Sequence, residues 1–111
     1  MKLQLIIPMS GIGKRFLDYG YSIPKPLIKV RGKEMVKHVV NMFDEIERVL
    51  FICNENHLNN RSLNLERTLK KLHQNTKIIS IKEHKKGPIH AVLEAEREII
   101  LEMPTIINYC D

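Results

Sequence analysis

The sequence contains no tryptophan, and aromatic residues of all kinds make up only 5% of its 111 residues. Proteins that bind single-stranded nucleic acid by stacking need several aromatic side chains on one surface. The net charge of +5 is modest, and the chain has no dense basic stripe. Nucleic acid is therefore not the expected partner, whereas a small anionic ligand fits the positive charge. A small nucleic-acid-binding α/β protein remains an alternative, which salt-dependent binding to DNA or RNA would support.

Cysteine and long apolar runs are also scarce. Cys53 and Cys110 each end an apolar run, which predicts two buried thiols, and no CxxC or Cys/His cluster occurs. The absence of a disulfide framework favours a reducing, cytoplasmic compartment. The first apolar run, residues 5 to 9, is interrupted by Pro8 and is too short for a signal-peptide core or a membrane span. We expect a cytoplasmic protein that does not bind a membrane.

The chain does contain four short apolar runs separated by amphipathic segments. Strands are predicted at residues 2–8, 48–53, 76–81 and 104–110, and helices at residues 34–43, through Leu65, Leu69 and Leu72, and from Pro88 onward. This alternation predicts one α/β domain with a Rossmann-like parallel sheet of about four strands and helices on both faces.

The segments between these elements carry further expectations. Residues 23–30 contain two prolines and are expected to be extended, residues 31–33 to form a turn, and residues 54–62 to form a polar loop. Along the last helix, the apolar face is expected to consist of Ile89, Val92, Leu93, Ile99 and Ile100, interrupted only by Glu96.

Four polar segments follow the predicted strands: "SGIGKR", "NEN", "KEHKKG" and the terminal Asp111. Ligands of open parallel sheets bind at the carboxyl ends of the strands. The sequence therefore places a candidate ligand site where these segments meet.

The glycine-rich segment after the first strand fits neither common phosphate-binding motif. A Walker A loop fails because Arg15 follows Lys14 and Pro8 stands at the first glycine position; the dinucleotide fingerprint fails because Phe16 replaces its third glycine. Glycines still allow successive N–H groups to point at one anion, and Lys14 and Arg15 add charge. A phosphate cradle and a simple tight turn are equally open from these residues alone.

The segments "IIPMSGIGKRF", "PKPLIKVRGKEMVKHVV", "GPIHAVLEA" and "NYCD" together resemble the N-terminal half of the nucleotidyltransferases that make sugar nucleotides. The resemblance is closest to bacterial members of capsule and surface-polysaccharide pathways. It implies transfer of a nucleotidyl group from a nucleoside triphosphate to a phosphorylated acceptor, such as a sugar 1-phosphate, with release of pyrophosphate. CTP, UTP or dTTP is the expected donor, and Mg²⁺ the expected cofactor.

The resemblance also implies roles for individual residues. Ser10, Gly11, Ile12, Gly13 and Lys14 would bind the triphosphate, Arg15 the leaving pyrophosphate, Lys25 the phosphates of both substrates, Gly87 the base, and Asp111 the Mg²⁺ ion. Lys82 or Glu83 is expected at the base edge without a choice between them. Asn54 is a weaker candidate for the base pocket, Lys85 and Lys86 are expected to be solvated, and His84 lies in the base-side segment.

The chain departs from the family in length, because members continue beyond the position of Asp111 into an acceptor-binding part. Residues 1–111 are therefore expected to form the nucleotide-binding part of a domain truncated on its C-terminal side. The alternative is a non-catalytic nucleotide-binding module or a partner-binding fragment. Exposure of a sheet edge would also favour self-association into a homo-oligomer.

Overall fold

The computed structural model of the chain describes residues 2–11, 18–20 and 23–110. In chain order the elements are β1 (Leu3–Met9), β2 (Lys29–Val30), β3 (Lys33–Glu34), α1 (Met35–Asn41), β4 (Ile46–Asn54), α2 (Glu55–Asn59), α3 (Leu65–Lys70), β5 (Thr76–Ile81), α4 (Pro88–Glu94) and β6 (Thr105–Ile107). Short 3₁₀ helices occur at Lys25–Leu27, Arg61–Leu63 and Glu96–Glu98.

The main sheet has the strand order β5-β4-β1-β6, and every neighbouring pair is parallel. The chain moves outward from β1 through β4 to β5 and then returns to place β6 on the other side of β1. The order reverses between β1 and β6, and a crevice for ligands is expected outside the carboxyl ends of strands at such a reversal. The predicted Rossmann-like parallel sheet is confirmed.

Helices cover both faces of this sheet, as predicted. Leu5, Ile7 and Met9 of β1 point to one face, where α1 and α3 pack over them. Ile6 of β1 points to the opposite face, where α4 packs. The continuous apolar run of β1 follows from this arrangement, because a strand buried on both faces has no solvent-facing side chains.

The contact between α4 and the sheet differs in part from the prediction, because Val92 and Ile99 pack against the core as expected but other residues of the expected face do not. Ala91 and Ala95 are the buried residues of this segment, whereas Ile89 and Leu93 are 69% and 63% exposed. Small side chains let the helix backbone approach the sheet closely, and the expected face had omitted them because it counted only large apolar residues. The helix also ends at Glu94, before the expected stripe is complete.

Two segments expected to be irregular are partly helical. Residues 54–62 contain α2 and a 3₁₀ helix, because the side chains of Asn54 and Asn60 accept hydrogen bonds from the N–H groups of Asn56 and Ser62. The segment expected to be extended forms a 3₁₀ helix at Lys25–Leu27, because Leu27 N–H donates to Pro24 O at 2.9 Å. The turn expected at residues 31–33 is confirmed at residues 31 and 32, which connect the β2–β3 hairpin, and Lys33 already belongs to β3.

Within the described ranges, no helix combines the length and the apolar character needed to cross a bilayer.

Candidate functional site

The glycine-rich segment begins at the carboxyl end of β1, next to the point where the strand order reverses. Ser10 follows β1 directly and is only 3% exposed, whereas Gly11 is exposed. A Cβ atom added to Gly11 would meet nothing within 4 Å. The segment is therefore buried at its first residue, Ser10, and faces open space at its second, Gly11.

Asn54, the last residue of β4, connects the two segments on either side of it. Its side chain is fully buried, and its Nδ2 atom donates to the backbone oxygen of Ser10 at 3.3 Å and to Oε1 of Glu83 at 3.5 Å. Its Oδ1 atom accepts from the N–H of Asn56 at 2.8 Å, and this hydrogen bond caps the amino end of α2. Asn54 therefore holds its neighbours in place, and its role in a base pocket stays a prediction.

His84, in the segment after β5, contacts Ser10, the first residue of the glycine-rich segment. Its Nε2 atom lies 3.1 Å from Oγ of Ser10, and its Nδ1 atom accepts from the N–H of Lys86 at 3.2 Å. Its ring lies edge-on to the ring of His90 with centroids 4.6 Å apart. His90 in turn lies 3.2 Å from Oε1 of Glu94. The strands β1 and β5 are not neighbours, so this contact spans β4.

The charged groups around Asn54 act on one another. Burial lowers the pKa of half-buried His57 below its ordinary value of 6.5, and the negative charge of Glu83 opposes that shift.

On β4 itself, burial raises the pKa of the Cys53 thiol to about 12. Cys53 and Cys110 are both buried, as predicted, and the Cys53 thiol stays protonated at neutral pH.

Lys25 begins the 3₁₀ helix Lys25–Leu27 and is partly buried. The next two residues, Pro26 and Leu27, are buried, and Leu27 belongs to the same core cluster as Val36 of α1. The backbone that carries Lys25 is therefore fixed to the core.

Gly87 precedes α4 directly and has backbone angles φ 86° and ψ 175°. Such angles are essentially restricted to glycine. A Cβ atom at Gly87 would meet nothing within 4 Å, so the position is both conformationally special and open.

Several predicted site residues lie outside the described residues: Ile12, Gly13, Lys14, Arg15 and Asp111. Their roles stay predictions. Among residues 2–11, 18–20 and 23–110, no cluster of three or more His, Cys, Asp or Glu side chains is arranged to hold a metal ion.

The remaining candidates lie on the outside of the segment after β5. Lys82, Glu83, Lys85 and Lys86 are all exposed, and Glu83 is the one that reaches Asn54. Ser10 and His84 were both expected at this edge of the sheet, but not in contact with each other. A separation of 74 positions leaves no local pattern, so only the strand order could reveal the contact.

Comparisons with known proteins identify the fold that carries this site. The family described as Nucleotidyl transferase matches residues 5–107. A comparison with curated protein sequences found no match.

Three solved structures share the fold. The inositol-1-phosphate CTP transferase from T. maritima is 22% identical, with a TM-score of 0.77, over 99% of this chain and 44% of that protein. The nucleoside-diphosphate-sugar pyrophosphorylase from Vibrio cholerae is 20% identical, with a TM-score of 0.70, over 96% and 47%. The UDP-glucose pyrophosphorylase from Acinetobacter baumannii is 22% identical, with a TM-score of 0.67, over 99% and 46%. The chain thus spans less than half the length of each.

Proposed function

Because the chain belongs to the nucleotidyl transferase family, we propose that it binds a nucleoside triphosphate and serves the transfer of the nucleotidyl group to a phosphorylated acceptor. The observation that carries this proposal is the meeting of three segments at one sheet edge. The glycine-rich segment, Asn54 and the residues around His84 are joined there by hydrogen bonds, next to the reversal of strand order. This is where a nucleotide is expected in a sheet of this kind.

The proposed reaction needs alignment and charge more than proton transfer. An oxygen of the acceptor phosphate forms a bond to the α-phosphorus, the bond from that phosphorus to the bridging oxygen breaks, and pyrophosphate leaves with the electron pair. The attacking oxygen is already an anion, so no general base is required. Catalysis then consists of holding both substrates in line and balancing the negative charge.

The proposed roles follow the glycine-rich segment outward. The backbone N–H groups from Ser10 onward bind the triphosphate, helped by Lys14, and Arg15 binds the pyrophosphate that leaves. Lys25 is proposed to contact the phosphates of both substrates, and its fixed backbone supports that role. Gly87 leaves room for the base because it carries no side chain and faces open space.

A divalent cation is the proposed cofactor. Mg²⁺ prefers carboxylate and phosphate oxygens, and Asp111, the proposed ligand, supplies a carboxylate. When bound, the ion would supply positive charge to the phosphate oxygens. The proposed nucleotides are CTP, UTP and dTTP, and the proposed acceptor is a phosphorylated small molecule. The names of the T. maritima and A. baumannii proteins refer to a CTP-using transferase and to UDP-glucose, which supports a pyrimidine nucleotide.

Nucleotide binding is the first property to test, because the chain covers less than half of the related structures. Thermal unfolding is measured with CTP, UTP, dTTP, GTP and ATP, each with and without Mg²⁺. At a ligand concentration about 100 times Kd, binding adds roughly 2.7 kcal/mol to the free energy of unfolding. For a chain of this size each kcal/mol corresponds to about 4–8 °C in Tm.

Two variants locate the binding. Lys25→Ala is expected to reduce the nucleotide-induced shift in Tm, whereas Lys33→Ala, which removes an exposed lysine of β3, is expected to leave it unchanged. A shift that is equal for all five nucleotides and insensitive to Lys25 would contradict the proposal. Binding of one nucleotide without release of pyrophosphate, when glucose 1-phosphate is the acceptor, would favour the non-catalytic binding module instead.

A further inference from the structure

The contact between Ser10 and His84 defines which nitrogen of the imidazole carries hydrogen. The backbone N–H of Lys86 can only donate, so Nδ1 of His84 accepts at 3.2 Å. In the neutral ring the hydrogen then lies on Nε2, which donates to Oγ of Ser10 at 3.1 Å. The hydroxyl hydrogen of Ser10 is thereby turned toward an acceptor other than His84.

The position of the His84 ring is fixed from several sides. Ser10 and Lys86 contact its two nitrogens, and His90 lies edge-on to its ring. His90 itself is held by Glu94 one helical turn later in α4. Ser10 is held a second time, through its backbone oxygen, by Asn54. Ser10, the first residue of the glycine-rich segment, is therefore held through both its side chain and its backbone.

Resting on the proposed function, we propose that His84 is a positioning residue for nucleotide: its imidazole fixes the Ser10 hydroxyl, so that Ser10 and Gly11 are held in place before the triphosphate binds. A segment ordered in advance loses less conformational entropy when the ligand binds, and this saving appears as affinity. Gly11, the next residue, faces open space. The contact with His84 therefore holds the residue adjacent to the proposed triphosphate site.

A purely structural role for His84 would make a different prediction. The segment after β5 would then be stabilised by the hydrogen bond to Ser10, and its loss would lower the free energy of unfolding without a separate effect on nucleotide affinity. The two roles are distinguished by measuring Kd for CTP, UTP and dTTP under conditions where every variant is folded. Urea unfolding without nucleotide measures stability in parallel.

Two amide variants differ only in reach and make a matched pair. His84→Gln places an amide donor near the position of Nε2, whereas the shorter His84→Asn places it near Nδ1 and out of reach of Ser10. We expect His84→Ala and His84→Asn to raise Kd about 3- to 10-fold, which corresponds to the loss of one hydrogen bond. His84→Gln should keep most of the wild-type affinity. His73→Ala removes a hydrogen-bonded histidine at the opposite edge of the sheet and should leave Kd unchanged.

A double-mutant cycle ties the effect to Ser10. In a Ser10→Ala background the substitution His84→Ala should have no further effect on Kd, because the hydroxyl that it holds is gone. Long-range ¹H–¹⁵N spectra of the wild-type chain should show hydrogen on Nε2 of His84 and none on Nδ1, and Ser10→Ala should change the Nε2 resonance.

The outcomes separate this inference from the function on which it rests. If the wild-type chain binds none of the nucleotides, the proposed function fails and this inference fails with it. If the wild-type chain binds and all three His84 variants bind equally well, the inference alone is overturned. Equal weakening by His84→Gln and His84→Asn, or additive effects of His84→Ala and Ser10→Ala, would also overturn it.

Discussion

The side-chain amide of Asn54 donates to the backbone oxygen of Ser10 at 3.3 Å, so the last residue of β4 holds the first residue after β1. The two strands are parallel neighbours, with Met9 opposite Cys53. Their carboxyl ends are joined by this side chain just beyond the last pair of that register. The arrangement makes Asn54 a structural link between the sheet and the candidate site.

Replacing Asn54 should destabilise the protein. Asn54→Ala leaves the Ser10 carbonyl and the Asn56 N–H without their partner, and we expect a loss of about 1–3 kcal/mol in the free energy of unfolding by urea. Asn60 also caps a short helix, but it is exposed, and water can replace its hydrogen bonds. Asn60→Ala should therefore cost less. Equal losses for the two variants would show that only capping is measured.

Gln4 is a second buried polar residue whose loss should be costly. Its Nε2 atom donates to Ile100 O at 3.1 Å and to Thr105 Oγ1 at 3.0 Å, while its Oε1 atom accepts from Arg48 and from Ile100 N–H. Gln4→Leu keeps the volume but leaves these groups without a partner, at a cost of about 1–3 kcal/mol.

The Gln4 substitution can be measured by urea unfolding against Gln74→Leu, which changes an exposed glutamine and should stay within about 0.5 kcal/mol of the wild type. A Gln4→Leu variant as stable as the wild type would mean that packing, and not hydrogen bonding, dominates at this position.

The backbone of Gly87 should resist any side chain. Its φ of 86° with ψ of 175° disfavours every residue except glycine, and no atom lies within 4 Å of an added Cβ. Gly87→Ala should therefore cost about 1–3 kcal/mol through backbone strain alone. Gly11→Ala also adds a Cβ in open space but without a strained φ, and it should be nearly neutral in thermal unfolding. A neutral Gly87→Ala would refute the strain argument.

Stability should depend on pH through His57. Burial lowers its pKa in the folded chain below the ordinary value of 6.5, so the unfolded chain binds more protons in the window between those two values. The stability that His57 contributes is present above pH 6.5 and is lost as pH falls through its folded pKa. His57→Gln should show a shallower decline in the free energy of unfolding over that window. Identical pH profiles would argue against this assignment.

Local pattern was enough to predict the α/β architecture. The apolar run at residues 48–53 identifies the centre of β4, which begins two residues earlier and ends one residue later and is buried on both faces along its second half. The run at residues 76–81 coincides with β5, although this edge strand is only partly buried. The buried face of α4 was predicted only in part: Val92 and Ile99 contact the core, but Ala91 and Ala95 were missed, because the sequence shows which residues are apolar but not how closely a helix approaches a sheet. The helices after Asn54 and Asn60 depend on side chains that accept from N–H groups two residues later, a detail that a polar composition conceals.

The order of apolar runs and polar segments is enough to place the polar segments that follow the strands at one edge, because parallel strands share their direction. Which of these segments touch depends on the folded sheet. Ser10, Asn54 and His84 are joined because β4 lies between β1 and β5, and strand order results from packing over the whole sheet. The Ser10–Asn54 hydrogen bond joins positions that are 44 residues apart in sequence, and the Ser10–His84 hydrogen bond joins positions that are 74 apart. Contacts at such separations leave no periodicity in the chain, so the partners become visible only when the sheet is assembled.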